Sequence, residues 1–136
     1  KAMRVGGTDM LIGEIRDGET AYEALKASNN GMFVIATIHA KSIIDAIERI
    51  ITLSQDRTPS AREILSTSLL SVMYQRLNIV KNSEGLIIKK VADIQGVHIP
   101  NGINGSAICA KIKRGDTDKL ESEFNALRLN MINNRG

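Results

Sequence analysis

Apolar positions along this chain fall into two patterns, continuous runs and stripes of helical period, and the two alternate. The first run, Asp9-Met10-Leu11-Ile12-Gly13, reads as a central parallel strand covered on both faces. A polar burst from Glu14 to Thr20 ends it, and a helix follows with Ala21, Ala24, Leu25 and Ser28 on one small-residue face. Asp17 is placed to cap that helix, Glu19 favours its positive end, and Asn30-Gly31 supplies a left-handed stop. Met32 to Ile38 is a second buried strand, rich in β-formers. Ser42 with Asp45 starts another helix in the manner of a capping box, and Ile43, Ile44, Ile47, Ile50 and Ile51 give it one broad apolar stripe. A polar connector from Gln55 to Pro59 leads to Ser60 and Glu63, a second capping box. The helix behind it is expected to carry Ile64, Leu65, Leu69, Val72, Met73 and Leu77 on one face. Strand, helix, strand, helix is the order of an α/β layered domain with a parallel sheet.

After Leu77 the pattern changes. Asn78 to Lys81, a turn at Asn82-Ser83-Glu84-Gly85, and Leu86 to Ile94 predict a β-hairpin. Asn101-Gly102 and Asn104-Gly105 mark further turns, and Ile108-Cys109-Ala110 reads as one more short strand. Leu120, Phe124, Leu127 and Met131 predict an amphipathic C-terminal helix whose stripe reads as core. The division expected is 1–77 for the α/β part and 78–136 for the hairpin and helix.

Composition narrows the class. With 136 residues, 43% apolar and 24% charged, a single cored domain is expected. Net charge is +3 without any Lys/Arg block, and with no Trp, two Phe and two Tyr there is no stacking platform, so no direct nucleic-acid binding is expected. One cysteine, Cys109, rules out an internal disulfide framework and fits a reducing compartment; it reads as a buried small hydrophobe. No apolar run approaches the roughly 18 residues of a membrane span. His98, close to Pro100, reads as a surface residue of a turn-rich loop. The chain opens on Lys1 and enters a strand almost at once, which leads us to expect an excerpt from a larger domain.

Two strand ends carry candidate chemistry. In open α/β sheets ligands sit beyond the carboxyl ends of the strands. Glu14 emerges there from the first run, placed to hold hydrated Mg²⁺ or to orient a water at a γ-phosphate; a structural cap or salt bridge is the plainer reading. Thr37 and His39 stand at the end of the second. His39 fits a donor to a phosphate oxygen, or equally a histidine satisfied by a backbone carbonyl. If the strands are neighbours, Glu14 and His39 open on one crevice.

Together these residues resemble a known family. The run from Leu11 through Gly13-Glu14-Ile15-Arg16-Asp17-Gly18-Glu19-Thr20 to Ala21 resembles the Walker B segment of the secretion or traffic ATPases, the motors of type II and type IV secretion, conjugative transfer and type IV pili. Ala36-Thr37-Ile38-His39-Ala40-Lys41-Ser42 is similar to that family's histidine box, and Leu69 to Leu77 resembles the helix after it. The resemblance runs from Arg4 to Leu77. It implies a partial RecA-like (P-loop NTPase) parallel sheet with helices, followed by a C-terminal hairpin and helix. It also implies Glu14 and His39 as the catalytic residues, Glu14 binding the metal as well and His39 sensing the γ-phosphate, with Thr37 as the supporting hydroxyl of His39 and a cofactor-binding residue. Arg16 would reach phosphate or a neighbouring subunit, Asp17 and Glu19 would pin the turn, and Arg76 would lie on a helix near subunit contacts, unless it is simply solvated. ATP and Mg²⁺ are the implied cofactors of the full-length protein. A hexameric ring and inner-membrane platform proteins of a secretion or pilus system are the implied partners, at the cytoplasmic side of the inner membrane and without membrane insertion.

The chain also departs from the family. It contains no Gly-x-x-x-x-Gly-Lys-Ser/Thr loop and no upstream acidic box. Gly6-Gly7-Thr8 stands where Asp-Pro-Asp is usual, Met32 where His is common, Ala40-Lys41 where Thr-Asn is frequent, and no Cys-x-x-Cys pair occurs. Because phosphoryl transfer depends on positioning and charge stabilisation, the isolated chain is expected to be inactive and not to hold ATP or Mg²⁺. With no phosphate-loop strand beside it, the run from Met10 to Gly13 is expected to have an unpaired flank that drives association into dimers or larger assemblies. The competing expectation is a non-enzymatic docking module that keeps these motifs as relics.

Overall fold

The computed structural model describes the backbone of residues 2–5, 9–100 and 103–133, and the side chains of 9–100 and 105–126. The elements in order are β1 (Ala2–Val5), β2 (Asp9–Ile15), α1 (Gly18–Asn29), β3 (Phe33–Ile38), α2 (Ile43–Ser54), α3 (Ala61–Ser68), β4 (Ser71–Lys81), β5 (Ile87–His98), α4 (Ile103–Arg114), a 3₁₀ turn (Thr117–Lys119) and α5 (Leu120–Asn133). Strands β1, β2 and β3 form one sheet with β2 in the middle, and β4 and β5 form a second. β2 and β3 are parallel and joined through α1, the expected strand-helix-strand unit.

Capping of α1 follows the sequence. Asp17 accepts from the Thr20 backbone N–H at 2.8 Å, and Gly31 closes the far end at φ 81°. Gly18 lets α1 and α2 approach, since a Cβ there would stand 2.5 Å from the Leu53 carbonyl oxygen. In α2, Asp45 N–H donates to Ser42 Oγ at 3.1 Å, but the returning carboxylate takes the Lys41 N–H at 2.6 Å rather than that of Ser42. Ser60 stands at the start of α3 and makes no side-chain cap bond, so the second expected capping box does not form.

Several other expectations are corrected. The strands are not covered on both faces: Ile12 and Ile15 are buried, whereas Leu11, Phe33 and Ile35 are exposed on the opposite face. β2 has no free flank either, because β1 pairs with it antiparallel from Ala2↔Ile12 to Val5↔Asp9, which leaves β1 and β3 as the edges. The helix expected to reach Leu77 stops at Ser68. Ser66, Thr67 and Ser68 all turn their hydroxyls back onto the Glu63 and Ile64 carbonyls, a bonding that weakens helices. Residues 71–81 instead pair with 87–98, so Arg76 lies in a strand, exposed, its Nε donating to Asn78 at 2.9 Å. The hairpin is therefore longer than the pattern predicts, and residues 77 and 78 both fall inside β4. Ile108-Cys109-Ala110 is helical, as is Asn104-Gly105, because Ile108 and Ile112, one turn apart, are both buried. Cys109 is half-buried against the core, and exposed His98 is the last residue of β5. The turn expected at Asn101-Gly102, Gly6-Gly7-Thr8, and the side chains of Leu127 and Met131 lie outside the described residues.

Among the described residues, two apolar clusters hold the elements together. One joins α1, α2 and α3 to the base of β5, α4 and α5 through Leu25, Ile47, Leu65, Val97, Ile112 and Phe124. The other lies under the sheet, where Ile12, Ile15, Ala21 and Ala24 meet Ile50 and Leu53. Among the described residues no helix is long and apolar enough to cross a membrane.

A charged network braces the first cluster. Arg62 of α3 donates to both Glu48 oxygens at 2.9 and 2.8 Å and to the Ile112 carbonyl at 3.1 Å, while the Thr117 hydroxyl donates to Glu48 at 2.7 Å. The hydrogen bonds from Arg62 hold the Glu48 carboxyl below its usual range, and Glu48 in turn raises Arg62. A depressed folded pKa adds stability above the unfolded value of 4.5, which is lost as pH falls through the folded value. Arg62→Met is therefore expected to cost about 1 kcal/mol at pH 7, given that the pair is about a third exposed. Urea titrations should show the gap between variant and parent closing as pH is lowered from 4.5.

Candidate functional site

The site begins with an irregularity in the parallel ladder. Pairing runs from Asp9↔Phe33 to Ile12↔Ala36 and resumes at Ile15↔Ile38, so β2 holds one more residue than β3 across this step. The extra residue is a β-bulge, with Gly13 and Glu14 opposite Thr37. Bulges of this kind bend a strand and re-aim a side chain. The consequence is visible in burial: Ile12 and Ile15, three apart, both bury on the core side, which strict alternation would forbid. The Thr37 hydroxyl donates to the Gly13 carbonyl across the bulge.

Glu14 leaves this bulge partly buried, its side chain 20% exposed, while His39 at the end of β3 is 90% exposed. Glu14 Oε1 lies 3.2 Å from His39 Nε2. Its other oxygen, Oε2, accepts from the Arg16 guanidinium. The carboxylate is thus clasped between an imidazole and an arginine at the carboxyl ends of two neighbouring parallel strands. The salt bridge foreseen as a plain reading of Glu14 is present, and so is the shared rim. His39 turns to a carboxylate, not to a carbonyl.

The surrounding backbone is pinned on both sides. Asp17 caps α1 just after the bulge, and hydrogen bonds from the Thr20 N–H and hydroxyl hold its carboxyl below the usual range. Beyond His39, the mutual caps of Lys41, Ser42 and Asp45 fix the entry to α2. Above Gly13 the space is open, for a Cβ built there meets nothing within 4 Å. Glu14, Arg16, Thr37 and His39 are therefore brought together, and Arg76 of β4 is not among them. The bulge itself was missed. Its signal was a glycine inside a strand between two isoleucines three apart.

A shallow groove lined by Gln55, Pro59, Ser60 and Lys113 shares no residue with this site. Among the described residues no three or more His, Cys, Asp or Glu side chains converge as a metal site. A magnesium ion does not need them, since it is commonly held by one or two carboxylates, several waters and the phosphates of its nucleotide. The solvent-reaching Glu14 carboxylate fits that demand.

The chain is similar to known proteins. A family model described as "Type II/IV secretion system protein" matches residues 1–117. Type II secretion system protein E of Klebsiella pneumoniae is 47% identical over 68 residues, which is 50% of this chain and 13% of that protein. Protein YggR of Escherichia coli K12 is 31% identical over 121 residues, 88% of this chain and 34% of that protein. Among solved structures, the pilus retraction motor PilT with bound ADP superposes with a TM-score of 0.65 at 29% identity, over 85% of this chain and 31% of that one. The ATPase DotB of Legionella pneumophila, at 21% identity and TM-score 0.62, shares the fold over 88% of this chain and 30% of its own. The chain thus spans from about an eighth to a third of the length of these relatives. With the family model matching residues 1–117 and a parallel strand-helix-strand unit in its sheet, the chain belongs to the type II/IV secretion family of traffic ATPases and carries part of their RecA-like fold.

Proposed function

We propose that this chain is the C-terminal part of a motor ATPase subunit that powers secretion, type IV pilus dynamics or conjugative transfer from the cytoplasmic face of the inner membrane. The observation that carries the reading is the 3.2 Å contact between Glu14 and His39 where two parallel strands end. In the whole subunit Glu14 acts as the Walker B acid, orienting the attacking water and accepting its proton. His39, the histidine-box residue, turns its second nitrogen to the γ-phosphate, and Arg16 exchanges Glu14 for phosphate or for a neighbouring subunit of a six-membered ring. Mg²⁺, held by Glu14 through water, supplies charge neutralisation at the phosphates. The ring docks on platform proteins of the inner membrane.

A second reading is a docking module without catalysis. One observation favours it: both Glu14 oxygens already have partners inside the chain.

Two measurements test these readings, and only the second separates them. The isolated chain, without a Gly-Lys-Ser/Thr loop, is expected to show no Mg²⁺-dependent ATP turnover above background; a clear rate would refute the phosphate-loop argument. In the whole subunit, Glu14→Gln is expected to lower turnover about 100-fold or more while nucleotide binding persists. Unchanged turnover in that variant would sink the assignment of Glu14 and leave the docking reading.

A further inference from the structure

We infer that Thr37 is the positioning residue of the site, aiming Glu14 through the bulge instead of contacting nucleotide. The inference rests on the reading of Glu14 as the catalytic carboxylate. The resemblance makes Thr37 a supporting hydroxyl for His39 and a nucleotide contact. The geometry points elsewhere. Thr37 faces the one step at which β2 and β3 fall out of register, between Ile12↔Ala36 and Ile15↔Ile38, and its hydroxyl donates to Gly13, the residue before Glu14.

A hydroxyl has one proton to give. Spent on the Gly13 carbonyl, it is not available to a phosphate oxygen, which needs a donor. What the bond does is close the bulge. An extra residue disrupts the ladder locally, and here a side chain from the opposite strand bonds to a carbonyl of the bulged one. With the bulge closed, Ile12 and Ile15 both reach the core under the sheet, and Glu14 between them is turned to the rim and His39. Thr37 thus converts a register slip into an orientation of the carboxylate.

Because the bond lies at an exposed position, water can satisfy the Gly13 carbonyl if the hydroxyl is removed. Thr37→Val, equal in shape, is therefore expected to leave the chain folded and to loosen only the aim of Glu14. The test is a double-mutant cycle read by NMR on this chain. Glu14→Gln is expected to move the His39 imidazole resonances in the parent. In the Thr37→Val background that displacement should fall by about half or more, and Thr37→Ser should restore it. Methyl resonances of Ile47 and Ile112 report whether the core is intact, and Thr37→Ala serves as the second variant if Thr37→Val perturbs them. An undiminished response of His39 in both variants, or no restoration by serine, would overturn the inference. The readout needs no turnover. A whole subunit that keeps its ATPase rate with Glu14→Gln would defeat the functional reading and leave the Thr37 cycle as measured.

Discussion

Ile47→Ala will destabilise the chain by about 3 kcal/mol, the middle of the range for emptying a buried isoleucine site. Ile47 is 1% exposed at the centre of the α2 stripe, within the cluster that also holds Leu25, Leu65 and Ile112. Its neighbours come from several elements, so no single backbone shift can refill the space. Ile35 provides the contrast. It is as apolar, but lies 52% exposed on the uncovered face of β3, and Ile35→Ala should change stability by only about 0.5 kcal/mol. Urea unfolding followed by circular dichroism measures both. Equal losses in the two variants would mean that the helical cluster is not the stabilising core.

Gly105→Ala will cost about 2 kcal/mol net, despite an alanine being roughly 1 kcal/mol better than glycine inside a helix. A Cβ at this position would stand 1.8 Å from the Pro100 carbonyl oxygen and 3.0 Å from its carbon. Both are backbone atoms, which cannot swing aside as a side chain does. The approach of the Pro100 peptide to α4 therefore depends on a bare Cα. Gly13→Ala is the matched control, with open space and no positive φ, and should stay within about 0.5 kcal/mol of the parent. If the two alanines behave alike, the Pro100 carbonyl does not approach α4 as described.

Local signals carried most of what the sequence revealed. The isoleucines of α2 repeat at the helical period, and their stripe is the core face found in the structure. The hairpin turn is self-contained: Asn82 Oδ1 accepts from the Glu84 and Leu86 N–H groups at 3.0 and 2.9 Å, and Gly85 takes φ 82°. Residues 69–77 were misread because Leu69, Val72, Met73 and Leu77 also satisfy a helical spacing. What decides the state of 71–77 is pairing with 92–98, beyond the reach of a short local window. Ile108 and Ile112 were missed for a related reason, since a short apolar run does not declare its period until the burial of both ends is known. At the site, the meeting of Glu14 and His39 was legible from two strand ends. The bulge was not, because a polar pair between two isoleucines looks like the end of a strand rather than a kink within it.

The Glu48–Arg62–Thr117 network was also invisible in advance. Its members come from α2, α3 and the 3₁₀ turn, and each reads alone as a solvated helix-surface residue. Only the packing of α2 against both α3 and the 3₁₀ turn brings them together.

Ile50 belongs to both apolar clusters, touching the helical block on one flank and the underside of the sheet on the other. A single side chain therefore acts as a shared rafter, and heat cannot strip the sheet from the helices without exposing a surface that each half uses. The rim that carries Glu14 and His39 is accordingly expected to melt with the helical body and not ahead of it, which probes of the sheet and of the helices would report as coincident transitions.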